Sequence, residues 1–492
     1  MGESRGQPYK FRFDLLSIPL LKKIVKTRAF HFAVIFPNFV VFIILLVAAF
    51  IGPPVGNQNI AVLVVWIIWW AALMLLLTPI GGRSWCMICP IPAIGEWLQR
   101  KSFTQVTKKP LGLNRGWPRK LDNIWLQNFS FLILSTFIGV LTTRPWATGI
   151  MLLLIVVVLP TIFHLIYQRR VWCRYVCPVS GFIGLYSMVA PVELRVKNRD
   201  VCLKHPGNEC FRGSENGYGC PWYEFPQNLN RNAYCGLCME CIKTCPLDNI
   251  AVNIRIGGED LYVEPWHGIK KKGLDEPFKA FIMGTLAIIY ALVFTGPNPF
   301  FKNIANIFGG ETFSGIFVDN ILVEALNPYK LATYATIVWG STLVLMPAIF
   351  AFFILLSKSL AGWRDSPSFK KLFISYSYLL VPLSLAAWIS FALYILLVNG
   401  SYAISAISDP FGLGWNLFGT KGFPWTPIGT PYLPYIQGII FMIGLVATIN
   451  TIKNISQRLF KSRREAFKAS IPMAIFALLY TIVVLIVWLG VV

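Results

Sequence analysis

Charge is scarce in this chain. Of its 492 residues only 13% are charged, against 55% hydrophobic and 15% aromatic, and the mean hydropathy is +0.60. Such a balance excludes a soluble globular protein and implies an integral membrane protein. Histidine is scarcer still, with four in all and the last at His267. No helix after Lys279 can therefore offer the paired histidines of a membrane cytochrome b, and no haem is expected. Acids are almost missing from the apolar runs, which disfavours an ion pump built on intramembrane carboxylates. Cysteine is absent beyond Cys245: all 11 lie between Cys86 and Cys245. Low-complexity tracts, coiled-coil heptads, kinase motifs and DNA-binding motifs are lacking too.

Lys and Arg (44) outnumber Asp and Glu (22). In a chain of this kind the excess reads as membrane topology rather than as a nucleic-acid partner. Nine apolar runs are long enough to cross a bilayer: His31 to Gly52, Asn59 to Ile80, Ile124 to Thr142, Thr148 to Gln168, Lys279 to Gly296, Leu331 to Leu356, Leu372 to Val398, Leu433 to Ile452 and Ile471 to Val492. The first is too long, and its basic leader too extended, for a signal peptide. With the N-terminus in the cytoplasm, all basic residues but Arg144, Lys302, Lys330 and Lys421 fall inside, so the expected site is the inner (cytoplasmic) membrane with Val492 outside. The expected fold is an all-α polytopic membrane protein of about nine transmembrane helices with a small cytoplasmic ferredoxin-like (α+β) insert. Its divisions are 1–30, a basic leader; 31–190, two helical hairpins; 191–272, the insert; and 273–492, a five-helix membrane domain.

The hairpins are a repeat. Gly81-Gly82-Arg83-Ser84-Trp85-Cys86-Met87-Ile88-Cys89-Pro90 follows the second run, and Gln168-Arg169-Arg170-Val171-Trp172-Cys173-Arg174-Tyr175-Val176-Cys177-Pro178 follows the fourth. Two parallel repeats packed about an axis normal to the membrane would bring both cysteine pairs together. A disulfide is disfavoured in the reducing cytoplasm, and burial as small apolar residues is the plain alternative. Paired thiolates at this spacing favour a soft metal centre: iron–sulfur, zinc or copper(I).

Cys235-x2-Cys238-x2-Cys241-x3-Cys245-Pro246 has the spacing of a bacterial ferredoxin, with a zinc knuckle as the bland reading. Upstream stand Cys202, His205, Cys210 and Cys220-Pro221, a stretched half-motif. The closing cysteine of each ferredoxin motif ligates the other cluster. Cys220 should thus join Cys235, Cys238 and Cys241, while Cys245 joins Cys202 and Cys210. The second site then needs a fourth ligand, from His205, unless it holds a three-iron cluster and His205 binds solvent.

These motifs together resemble the membrane-bound polyferredoxin family, which includes the 4Fe-4S quinol dehydrogenase subunit of periplasmic nitrate reduction and the nitrous oxide reductase maturation regulator. The resemblance runs from about Asn59 to Val252. It implies [4Fe-4S] clusters on Cys235, Cys238, Cys241 and Cys245, and an electron-transfer subunit of a quinone-linked oxidoreductase complex, working between a quinone/quinol pool and a redox partner. The first membrane motif is one residue shorter than the family's, and the five last helices have no counterpart in its smaller members. Two clusters are expected, with a third at Cys86, Cys89, Cys173 and Cys177. His164 and His31, near the ends of their runs, are the candidates to bond and protonate quinone. Arg169, Arg170, Arg174 and Lys270 to Lys272 read as attracting anionic membrane lipid, or an acidic soluble electron carrier. The competing functions are a metal-handling or cofactor-assembly factor using the membrane cysteines, and a redox sensor.

Overall fold

A computed structural model describes residues 12–107, 109–263, 273–294, 328–363 and 366–489. Helix dominates it, with one small sheet. In chain order the membrane helices are α1 (Phe30–Ile51), α2 (Ile60–Leu77), the pair α3 (Trp125–Thr136) and α4 (Ile138–Thr143), then α5 (Pro145–Ile166), α6 (Asp275–Phe294), α7 (Leu331–Ala361), α8 (Phe369–Asn399), α9 (Thr430–Leu459) and α10 (Arg463–Trp488). By length and composition, eight helices among the described residues could cross a membrane.

The expected run from Ile124 to Thr142 is apolar but interrupted. Phe137 leaves helical geometry at ψ 9°. Just before it the Ser135 and Thr136 hydroxyls donate back to the Phe131 and Leu132 carbonyls, both at 2.8 Å, and the Trp339 indole N–H donates to Thr136 Oγ1 at 3.0 Å. Hydroxyl back-bonding of this kind bends helices. Residues 295–327 and the chain end, with the long connection after Pro297 and the expected outside terminus, lie outside the described residues.

Each hairpin turn has a local cause. Gly52-Pro53-Pro54 cannot continue α1. Asn59 then caps α2, accepting from the Ala61 N–H at 2.9 Å and donating to the Ala48 and Pro53 carbonyls at 2.8 and 2.9 Å. Pro145 opens α5 at its first turn. Both α2 and α5 contain wide π-type turns, at Val64–Trp69 and Leu73–Leu77 and at Leu153–Val158. In α2 these turns lead into the first cysteine motif.

The insert is a three-stranded antiparallel sheet in the order β1-β3-β2: β1 is Arg12–Asp14, β2 Val192–Val196 and β3 Ile250–Arg255. Its edge strand β1 comes from the leader, pairing Asp14 with Asn253 and Arg12 with Arg255. Leader and insert therefore lie on one side of the bundle. Ion pairs fasten them, Lys22 and Lys26 to Asp248 and Arg12 to Glu193 at 2.8 Å. The C-terminal helices pack on the second repeat through α6, which lies against α3 and α8. The Tyr186 hydroxyl bonds Ser384 Oγ at 2.9 Å, and the Trp388 indole donates to the Met283 carbonyl at 3.0 Å.

Candidate metal centres

Cys86 lies on the short helix Ser84–Ile88 and Cys89 on the extended residue that ends it. Cys173 lies in the wide turn Trp172–Val176, and Cys177 immediately precedes helix Pro178–Tyr186. All four are buried. The repeat brings them together: Cys177, Cys89 and Cys86 each act electrostatically on Cys173, and Cys86 acts on Cys177. Burial pushes the Cys177 thiol up to about 11, opposed by the N–H groups of Ser180 and Val179 at the helix start. Burial likewise raises Cys89 and Cys173, while Arg170 works against both shifts.

A second group forms where Cys220 meets the tight loop. Cys235, Cys238, Cys241 and Cys220 lie within mutual electrostatic reach, Cys241 sensing the other three. The loop winds by placing Leu237 and Met239 at positive φ, 49° and 64°. The Leu237 N–H thereby meets the Cys235 sulfur, and the Glu240 N–H meets that of Cys238. Gly236 is required by close approach, since a Cβ there would stand 2.0 Å from Trp222 Nε1. Burial pushes the Cys220, Cys235 and Cys238 thiols up to about 12.

The third group is Cys202, Cys210 and Cys245, lining one small cavity with His205 and Asn249. Asn249 donates its amide to Cys202 Sγ at 3.1 Å and its N–H to Cys245 Sγ at 3.4 Å. Burial, then Cys245 and Cys202, push Cys210 up to about 11. His205 holds Nε2 2.6 Å from Glu209 Oε2. Cys210 also acts on Cys241, joining the third group to the second. Among the described residues no set of three or more His, Cys, Asp or Glu side chains is drawn tight around a single metal ion. The grouping of thiols rests on their electrostatic reach. N–H groups directed at sulfur, surrounding arginines and four-thiol sets are a donor chemistry that fits iron–sulfur clusters.

Arg170 links the first two groups, acting on Cys173, Cys89 and Cys238. It was read from sequence as a lipid-attracting surface residue together with Arg174. That reading is corrected: both are buried, each on an acid, Arg170 holding the buried Glu96 at 2.7 Å through Nε and Nη2 and Arg174 holding the partly buried Glu224 at 2.7 Å. Lys270 to Lys272 lie outside the described residues. Burial works to raise the Glu96 carboxyl, but Arg100 and Arg170 hold it far below the usual carboxylate range. His31 places Nε2 2.9 Å from Arg170 Nη2, and His164 Nδ1 lies 2.7 Å from the Pro160 carbonyl. Both histidines are buried and both face the Glu96–Arg170 pair. Arg83 crosses from the first membrane motif to the insert, donating to the Ala233 carbonyl and Ser180 Oγ and lying 4.4 Å above Trp222. Sequence reasoning passed over Glu96 and Arg83; a lone acid in a basic amphipathic helix was the available signal for the first.

The 4Fe-4S binding domain family matches the chain twice, over residues 62–114 and 146–197, once for each repeat. Its relatives include the methylamine utilization ferredoxin-type protein MauN of Paracoccus denitrificans, 29% identical over 25% of this chain and 45% of that protein. The putative electron transport protein YccM of Escherichia coli is 26% identical over 33% of this chain and 48% of its own length. Over its two repeats the chain is similar to membrane ferredoxin-type and electron-transport proteins. The chain spans about half the length of those curated relatives. An uncharacterized protein of Methanocaldococcus jannaschii is 26% identical over 48% of this chain and 95% of its own length. No solved structure matches. The matched family is one of iron–sulfur binding domains, and the long apolar helices of this chain are compatible with a multi-pass membrane protein.

Proposed function

We propose that this protein is the membrane electron-transfer subunit of a quinone-linked redox complex, and that three clusters stand in line within it. The observation that carries the reading is the sequence of thiol groups: Cys202, Cys210 and Cys245 next to Cys241, and Cys238 next to the Arg170 that also reaches Cys173 and Cys89. Cys220, Cys235, Cys238 and Cys241 would hold one [4Fe-4S] cluster, Cys86, Cys89, Cys173 and Cys177 another, and Cys202, Cys210 and Cys245 a third, with His205 as its further ligand. When bound, such clusters accept and donate single electrons, which is the chemistry needed between a quinone and a one-electron partner. The protein's own residues supply burial, N–H groups to sulfur and cationic neighbours.

At the membrane end, His164 and His31 are proposed to handle quinone protons beside the Glu96–Arg170 pair. An apolar cavity of about 200 Å³ touches the membrane motifs at Trp85, Pro90 and Pro178, and is walled by Trp69 and Trp70. The indole N–H groups of Trp69, Trp70 and Trp85 have no partner among the described residues. A quinone ring, apolar with carbonyl acceptors, matches such a wall. The leader, the insert and the partner-facing clusters are proposed to be cytoplasmic, supported by the distribution of Lys and Arg. The domain divisions at 30, 190 and 272 are kept as part of this reading, with the leader added to the insert.

Iron and sulfide analysis of anaerobically purified protein tests it. Cys238→Ala and Cys86→Ser should each lower iron by one cluster and remove a distinct paramagnetic signal. Iron unchanged by both would refute the clusters, and loss of bound copper in Cys86→Ser with iron intact would favour metal handling instead.

A further inference from the structure

Lys279 is fully buried on α6, the first helix of the C-terminal domain. Its ammonium donates to the Gln127 carbonyl at 3.1 Å and lies 5.3 Å from the centroid of the Phe131 ring. Among the described residues no carboxylate pairs with it. Of the two acids one turn earlier, Asp275 accepts from the Ile124 N–H at 3.0 Å through Oδ2, its Oδ1 being buried without a partner and not turned to Lys279, and Glu276 is held by Arg231, Tyr234 and Tyr378. The ionisable neighbour that acts on Lys279 is Cys177. Gly181, on the helix that Cys177 begins, makes the approach feasible, because a Cβ there would meet Lys279 Nζ at 2.9 Å. A buried cation without a counter-charge is expensive. A cluster on four thiolates carries two negative charges when oxidised and three when reduced, and so would supply the missing one.

We propose that Lys279 is a fixed counter-cation of the centre formed by Cys86, Cys89, Cys173 and Cys177, beside Arg170, and that it raises the reduction potential of a cluster held there. The inference rests on the membrane-centre reading above, and it assigns the C-terminal helices a part in the electron path. A cation beside the cluster favours the more negative, reduced state over the oxidised one, because the attraction grows with the added charge. Lys279 binds no electron and touches no substrate; it acts through the thiolates it faces.

The test is a potentiometric titration of the full chain, followed by paramagnetic resonance, using the signal that Cys86→Ser removes. Lys279→Met should keep the iron content and lower the midpoint of that signal, so that the reduced-to-oxidised ratio at the wild-type midpoint falls at least tenfold, about 59 mV for one electron. Lys279→Arg should stay near wild type, and the other two clusters should not move. Gly181→Ala, which pushes the ammonium away while keeping its charge, should give a smaller shift in the same direction even if Lys279→Met fails to assemble. An unshifted midpoint in iron-replete Lys279→Met, or in Gly181→Ala, overturns the proposal. If Cys86→Ser leaves the iron unchanged, the membrane centre itself fails and this role goes with it, a result read in iron rather than in potential.

Discussion

Replacing Glu96 by glutamine isolates the electrostatics at the heart of the molecule. The change keeps shape and a carbonyl acceptor but removes the charge that faces Arg170 through two contacts of 2.7 Å. Arg170 has no exposed surface, and its remaining partners, His31 Nε2 at 2.9 Å and the Cys86 carbonyl at 3.4 Å, are neutral acceptors. Stranding one member of a buried pair costs about 3–5 kcal/mol, whereas an exposed pair is worth about 0–1 kcal/mol. Arg100 also reaches Glu96, at 3.1 Å, but through a single contact and with its side chain 13% exposed against none for Arg170, so Arg100→Ala strands no fully buried charge. Glu96→Gln should therefore destabilise the fold more than Arg100→Ala in SDS-unfolding titrations of the purified protein in mixed micelles. Adding Arg170→Met to Glu96→Leu should recover part of the loss, with a coupling of about 2 kcal/mol or more, because the lone cation is gone. A loss below about 1 kcal/mol in Glu96→Gln, or simple additivity in the double variant, would refute the claim that the pair is a buried, mutually dependent unit.

Gly236→Ala places a methyl on Trp222 and should reduce iron bound by the ferredoxin loop, measured per chain; Trp222→Phe in the same chain should restore some of it, and unaltered iron in the single variant would count against the packing. The Asp248 carboxyl, which burial works to raise, is held down to about 2 by Lys22 and Lys26. A depressed carboxylate stabilises above its free value and loses that contribution as pH falls towards the folded value. Protection of the leader strand against hydrogen exchange, taken relative to the intrinsic rate at each pH, should thus fall between about pH 4 and 2, and Asp248→Asn should show the lower protection already at pH 7. The contribution is small because the pair is partly exposed. Thiol labelling of Ser214→Cys should need a permeant reagent in intact cells, whereas Thr426→Cys, exposed on the connection before α9, should react with an impermeant one; the opposite pattern would invert the topology.

The thiol grouping proposed above comes from spacing, because the ferredoxin loop is local and the two Trp-Cys motifs repeat after equivalent hairpins. The apolar runs were equally legible as stretches of about 20 residues. Other features depend on partners far along the chain. Strand β1 is three residues long and has no pattern of its own; only its pairing with β3 makes it a strand. The break at Phe137 depends on Trp339 as well as on local hydroxyls. Arg170 and Arg174 look like surface charges in a basic loop, and nothing adjacent to them reveals that Glu96 and Glu224 await them inside. Lys279 opens an apolar run in the sequence, where a flanking lysine ordinarily reaches for the interface.

The pairing of Asp14 with Asn253 also sets an order of assembly. The leader leaves the ribosome before the hairpins, yet its neighbour in the sheet follows only after four membrane runs and all 11 cysteines have been made. At 5–20 residues per second the interval is roughly 12–50 s. During it the first strand must wait unpaired beside the membrane while the hairpins insert and the metal-binding loop is still open to whatever loads it. Closing the sheet is then the late event that seals the loop, so a strand made before the hairpins completes a domain whose other two strands are made after them.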